Sequence, residues 1–111
     1  MSFAPFVAAV AQFPVWQPTR WAEVEERIEQ WVCEAATRGA RLLVFPEYAS
    51  MSLAALFAPI VQAHLHAQVS ALQTLRDDYL ALHRRLAKTH AVYLLAGSFP
   101  WQLGADRVVN R

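Results

Sequence analysis

Short apolar runs alternate along this chain with longer segments whose apolar residues recur every three or four positions. A short apolar run bounded by turn-forming residues is typical of a strand buried on both faces, whereas the longer segments have the periodicity of amphipathic helices. This alternation constrains the fold to the layered α/β class, in which helices cover a sheet and successive strands run parallel. The three strands predicted on this basis cover residues 6–11, 42–45 and 92–97.

The first helical segment begins near Pro18 and ends before Gly39. Thr19 is the expected N-cap, because a threonine side chain at that position accepts a hydrogen bond from an unpaired amide of the first turn. Gly39 stands where a left-handed residue commonly ends a helix. The apolar stripe of this helix is predicted to contain Trp21, Val24, Ile28, Trp31, Val32 and Ala35.

The remaining residues continue the alternation. We expect a short helix over residues 52–60, broken by Pro59, and a long helix over about residues 69–90. Residues 98–106 are interpreted as a connection, and residues 107–110 as a fourth strand. The predicted order is therefore β-α-β-α-β-β.

The composition predicts apolar surface that this sequence does not cover by itself. The chain has 111 residues, of which 56% are hydrophobic and 17% charged, against roughly 25% charged residues in an average soluble domain. A short chain has much surface for its volume and should need more polar surface, not less. We therefore expect either a homo-oligomer or a part of a larger domain.

The same composition disfavours several classes of function. The net charge is +1 and no basic face with interleaved aromatic residues appears, so we expect no nucleic-acid partner. The start resembles no signal peptide, and no apolar stretch approaches the roughly 20 residues that cross a bilayer. Cys33 is the only cysteine, so no internal disulfide can form. These features predict a cytoplasmic protein without a membrane partner.

The histidines do not have the spacing of a metal site. His64 and His66 lack both the i, i+4 spacing of two helical ligands and a nearby third ligand. His83 and His90 lie on the second long helix, where helix packing explains them. We expect no metal and no cofactor.

Glu47 is the candidate catalytic residue. It follows the predicted strand at residues 42–45 directly after Pro46, which cannot donate to a strand ladder and so ends it. Open α/β sheets bind ligands beyond the carboxyl ends of parallel strands, and a carboxylate on a rigid turn there is well placed for proton transfer. A merely solvated loop glutamate is the alternative interpretation.

The segment at residues 42–47, which ends in Phe-Pro-Glu, is accompanied in order by residues 7–14, 34–40, 94–98 and 108–110. Together these segments resemble the N-terminal portion of the nitrilase superfamily of carbon–nitrogen hydrolases. The resemblance implies part of a four-layer α-β-β-α sandwich and a Glu-Lys-Cys catalytic set. Glu47 would then be the general base for a cysteine nucleophile that attacks a small amide, nitrile or carbamoyl compound, while a lysine stabilises the tetrahedral state.

The cysteine and the lysine of that set have no counterpart in this sequence. Lys88, the only lysine, precedes the third strand, and Cys33 lies within the first helix without an activating base or cation near it. We therefore interpret residues 1–111 as the N-terminal, apparently truncated part of a single carbon–nitrogen hydrolase domain. By itself this chain is expected to be inactive.

Two other functions stay open. The chain could be a noncatalytic module that acts through homo-oligomerisation or partner binding. A nucleotide-binding βαβ unit is the second, although neither glycine-rich phosphate motif is present. Hydrolysis and acyl transfer are not distinguished by the sequence.

Overall fold

A three-stranded parallel sheet organises the fold. Its strands are β1 (Val7–Val10), β2 (Ala40–Val44) and β3 (Tyr93–Leu95), with β2 in the centre. Both outer strands run parallel to β2, so the prediction of parallel strands is confirmed. The computed structural model of the protein describes residues 5–12, 16–47, 49–105 and 107–111. The resemblance at residues 13–14, and the end of the predicted connection at Asp106, lie outside these residues.

Helices form both crossovers between the parallel strands. The first crossover, from β1 to β2, contains α1 (Trp21–Thr37). The second contains a 3₁₀ segment (Ala49–Leu56), α2 (Pro59–Gln62), α3 (Leu65–Leu72), a 3₁₀ turn (Gln73–Leu75) and α4 (Arg76–His90). Over the ranges that the structure describes, no helix is both long and apolar enough to cross a membrane.

Helix α1 has the predicted apolar stripe but a different N-cap. Gly39 follows the C-cap with φ of +88°, which confirms the predicted helix end. The N-cap is Arg20, so the prediction of Thr19 is wrong by one residue. The reason is that the Glu23 carboxylate accepts hydrogen bonds from the N–H and the hydroxyl of Thr19, at 3.0 and 2.8 Å, and holds it outside the helix. The residues that α1 buries are Val24, Ile28, Val32 and Ala35.

Two predictions for the second crossover are wrong. Pro59 begins α2 instead of breaking a helix, because a proline in the first turn leaves no required amide unpaired. The long helix expected over residues 69–90 consists of α3 and α4, separated by the 3₁₀ turn at Gln73–Leu75. Because both helices pack against the same core, their apolar spacing continues across the turn and conceals it in the sequence.

The segment interpreted as a connection contains a strand. β4 (Pro100–Gly104) pairs antiparallel with β5 (Arg107–Asn110), and β5 has the predicted bounds. The described chain therefore has three strands after the second crossover, not two. Pro100 is tolerated because it is the first residue of its strand. The run that follows it lacks regular alternation, so only the pairing with β5 identifies it as a strand.

The two faces of the parallel sheet differ in their surroundings. Leu43 and Phe45 are buried in the core with residues of α1 and α4. Alternation turns Val10, Tyr93 and Leu95 to the opposite face, where their exposed fractions are 70%, 79% and 59%. Parallel sheets are normally covered on both faces. This open sheet face is apolar surface of the kind that the composition predicted.

A histidine is buried in the core beside the end of β2. Nδ1 of His83 lies 2.7 Å from the Tyr79 carbonyl oxygen and donates its proton to it. The imidazole centroid is 4.4 Å from the Tyr79 ring and 5.5 Å from the Phe45 ring. Nε2 is buried and has no hydrogen-bond partner within the described residues. Burial lowers the pKa of His83, because the core does not replace the hydration of the charged form.

We expect protonation of His83 to destabilise the fold. Because its pKa is lower in the folded chain, stability is fully present above the unfolded value of about 6.5 and is lost as the pH falls through and below it. The free energy of unfolding, measured by urea titration, should therefore decrease between about pH 7.5 and about pH 5.5. It should decrease less in His83→Leu. If the free energy of unfolding decreases equally in His83→Leu and in the exposed-site control His66→Leu, the loss of stability does not come from protonation of His83.

Candidate functional site

Glu47 lies just beyond the carboxyl end of β2. Pairing continues as far as Phe45, whose N–H donates to the Leu95 carbonyl at 2.9 Å. Pro46 has no N–H and ends the pairing. The chain then turns, and the Ala49 N–H donates to the Pro46 carbonyl at 3.1 Å. Glu47 is exposed on this turn, at the edge where open α/β sheets bind ligands.

The end of β3 approaches this turn closely at Gly97. The φ of Gly97 is +77°, and a Cβ atom there would lie 2.4 Å from the Pro46 carbonyl oxygen. Glycine is therefore required twice, once by the left-handed backbone and once by the close approach. The preceding residue, Ala96, is held by the Tyr79 hydroxyl, which donates to its carbonyl at 2.9 Å. Burial raises the pKa of Tyr79, so this donor keeps its proton.

Two serines join the ends of the strands. The Ser98 hydroxyl donates to the backbone carbonyl of Glu47 at 2.9 Å. The Ser50 hydroxyl donates in turn to the Ser98 carbonyl at 3.0 Å, and Ser50 is fully buried. A buried hydroxyl with a partner supports the backbone around it, whereas one without a partner would destabilise it. The backbone of Glu47 is thus fixed from the β3 side.

The carboxylate of Glu47 is held by the hairpin of β4 and β5. Nδ2 of Asn110, the last residue of β5, donates to Glu47 Oε1 at 2.9 Å. The hairpin is itself anchored at Gln73, whose Nε2 donates to the Pro100 carbonyl at 2.6 Å and whose Oε1 accepts from the Gln102 N–H at 3.0 Å. A charged acceptor makes the Asn110 bond stronger than a neutral one. It restricts rotation of the carboxylate.

An open cleft of about 210 Å³ lies beside the carboxylate. We call it the Glu47 cleft. It brings together the turn after β2, the start of the 3₁₀ segment, one side of α3 and the hairpin. Its lining residues are Glu47, Ser50, Met51, Leu65, Val69, Ser98, Pro100 and Asn110. Tyr48, which follows Glu47 directly, lies outside the described residues.

The other sequence candidates do not meet Glu47. Cys33 is exposed on α1, Lys88 is exposed on α4, and neither lines the Glu47 cleft. Within the described ranges, no three side chains of His, Cys, Asp or Glu form a group that could hold a metal ion. The described residues thus contribute to this site one carboxylate, that of Glu47, and the groups that hold it.

The sequence indicates Glu47 but not the residues that hold it. Ser50, Gly97, Ser98 and Asn110 come from four separate segments, so no local spacing relates them. The sequence contains two signals of these residues: Gly97, two positions after the end of β3, and the polar Asn110 at the end of the last strand. Neither signal indicates a contact with Glu47 until the fold places the strand ends beside one another.

The fold and this geometry define a layered α/β protein with a constrained carboxylate at the carboxyl end of its central parallel strand. A family model described as carbon-nitrogen hydrolase matches residues 7–111. The chain therefore belongs to the carbon–nitrogen hydrolases of the nitrilase superfamily, as its resemblance predicted. Searches of curated proteins and of solved structures give no match.

Gly97→Ala tests the close approach, with Gly39→Ala as its matched control. Both glycines have positive φ, but a Cβ at Gly39 would meet nothing within 4 Å. Left-handed strain of about 1–2 kcal/mol is common to both variants. The collision with the Pro46 carbonyl should lower the free energy of unfolding of Gly97→Ala by at least about 1 kcal/mol more than that of Gly39→Ala.

A second readout of the same variants reports on the site itself. Asn110 is the only asparagine, so selective ¹⁵N-asparagine labelling gives one side-chain amide nitrogen signal, with its pair of attached protons. We expect that signal to move in Gly97→Ala, as it should in Glu47→Gln, and to stay in place in Gly39→Ala. Equal loss of stability in the two alanine variants, with an unmoved amide signal, would contradict the role of Gly97.

Proposed function

We propose that Glu47 is the general base of an enzyme that hydrolyses a small amide, nitrile or carbamoyl compound. One observation carries this proposal: the Glu47 carboxylate stands at the carboxyl end of the central parallel strand with Oε1 held by Asn110 at 2.9 Å. A general base must be positioned before the proton moves, and this bond reduces the rotation that would otherwise have to be lost in the transition state.

The chemistry follows from a carboxylate beside a thiol. Glu47 takes the proton of a cysteine, and the thiolate attacks the carbon of the C–N bond to form a covalent intermediate. Glu47 returns that proton to the departing nitrogen. It then removes a proton from the water that attacks the intermediate, so that the acid is released and the thiol is restored. A lysine stabilises the negative charge on the tetrahedral species.

We propose further that this cysteine and lysine belong to residues outside these 111. Cys33 and Lys88 lie on α1 and α4, away from the Glu47 cleft. A base without its nucleophile cannot form the covalent intermediate. The described site is therefore one part of a catalytic set.

The first test is hydrolysis, with Glu26→Gln as the control, since Glu26 is an exposed glutamate of α1. The intact mass in the source cells, compared with 12.5 kDa for these residues, establishes the native length. At that length, Glu47→Gln should lower ammonia release from small amides by about 10²–10⁴, and Glu26→Gln should not. The 111-residue chain alone should release none. Turnover by this chain that Glu47→Gln abolishes would refute the external nucleophile, and unaltered turnover in native-length Glu47→Gln would refute the base.

The open sheet face supports the finer architecture. We propose that it is covered by a second sheet, which would complete an α-β-β-α sandwich. The support is that Val10, Tyr93 and Leu95 are apolar and exposed on the face opposite α1 and α4. An uncovered apolar face of a parallel sheet favours association, since burial of apolar area is favourable.

The same face favours a second candidate function. A noncatalytic module could use it to bind a second copy of the chain. We expect the purified chain to self-associate and Leu95→Lys, which places a charge on this face, to return it to a monomer. The exposed-site control Leu103→Lys, on β4, should not. A dimer of defined size on a sizing column would favour the module, whereas association without a defined size would favour a hydrolase domain whose second sheet is missing. A monomeric wild-type chain would contradict both proposals for this face, the second sheet and the second copy.

A further inference from the structure

We propose that the Glu47 cleft selects substrates whose acyl group is uncharged, apolar and short. This inference rests on the hydrolase function proposed above and names the substrate class of the same site. It is drawn from the charges, the walls and the size of the cleft.

The charges argue against anionic substrates. Among the described residues that line the cleft, Glu47 is the only ionisable one, and none is Lys, Arg or His. Two cations near the hairpin are directed to Trp101, which does not line the cleft: the guanidinium groups of Arg76, at the start of α4, and of Arg111, after β5, lie 4.5 and 5.5 Å from its ring centroid. A substrate carboxylate would therefore meet the Glu47 carboxylate without a compensating cation from the described residues, and the lysine proposed above is engaged with the tetrahedral species instead.

The walls argue for an apolar group. Leu65 and Val69 are four residues apart on α3 and so share one side of that helix. They line the cleft with Met51 and Pro100. Leu65 has an exposed fraction of 69%, which is large for a leucine on a helix and leaves apolar surface for a ligand to cover. The cleft thus has an apolar wall opposite its polar end.

The polar groups of the cleft are already engaged with one another. The hydroxyl protons of Ser50 and Ser98 are donated to backbone carbonyls, and Asn110 donates to Glu47. A polar acyl group would lose its hydration without gaining these donors. An aliphatic group has no hydrogen bonds to water to lose on entering the cleft. The reacting amide end can remain beside the carboxylate.

The volume of the described cleft favours a short acyl group. A volume of about 210 Å³ is below the roughly 300–1,000 Å³ of pockets for drug-sized ligands. A short branched or linear aliphatic chain fits this space. 3-Methylbutanamide is a suitable probe, and succinamate is its anionic counterpart of similar length.

Binding to the 111-residue chain tests the selection without requiring turnover. With ¹³C-labelled methyl groups, millimolar 3-methylbutanamide should shift the signals of Met51, Leu65 and Val69. Succinamate at neutral pH should bind at least about tenfold more weakly, a ratio in the range that apolar pockets reach. Leu65→Ser should weaken binding of the neutral amide, while Leu103→Ser, which alters an exposed leucine outside the cleft, should not. Leu65→Lys should increase the affinity for succinamate.

Three results would overturn the proposal: equal or tighter binding of succinamate, no methyl shifts with 3-methylbutanamide, or binding unaffected by Leu65→Ser. These outcomes are separate from the test of the hydrolase. If native-length Glu47→Gln keeps full activity while the methyl signals still shift, the assignment of the base fails and the selectivity of the cleft stands. If succinamate is the better substrate and Glu47→Gln is inactive, the hydrolase stands and the substrate class fails.

Discussion

The contact between Gly97 and the Pro46 carbonyl oxygen is the constraint on which the site depends. A side chain at Gly97 would collide with that oxygen at 2.4 Å, so the ends of β2 and β3 can meet only because the residue has no Cβ. Once they meet, Ser98 lies within hydrogen-bonding distance of the Glu47 carbonyl. The chain then continues directly into the hairpin, and the hairpin returns Asn110 to the carboxylate. One close backbone approach thus positions both the backbone and the carboxylate of Glu47.

The core supports this contact from beneath. The Tyr79 hydroxyl bonds to the Ala96 carbonyl, and the Tyr79 ring packs against His83, which also contacts Phe45. Helix α4 is therefore linked to the residue before Gly97 and to the residue before Pro46. Packing of these aromatic rings limits the movement of both strand ends. The Glu47 side chain is exposed, but the backbone that carries it is held by buried groups.

The two faces of the sheet have different roles. The face that packs against α1 and α4 forms the buried core. The segments that carry the site begin where the strands of this sheet end. The opposite face, with Val10, Tyr93 and Leu95, is apolar and open. This exposed face accounts for part of the high apolar and low charged content of the chain, because some of its apolar residues lie there and not in the core.

The sequence by itself determined the α/β class, the parallel strands, the end of α1 at Gly39 and the place of Glu47. These follow from apolar periodicity and from the backbone limits of proline and glycine, which act over a few residues. Only the tertiary structure decided that Pro100–Gly104 is a strand, that α3 and α4 are separate, and that Ser98 and Asn110 hold Glu47. The reason is distance along the chain: Asn110 meets Glu47 across 63 positions, and no local pattern records a contact that exists only when separate strand ends are packed together.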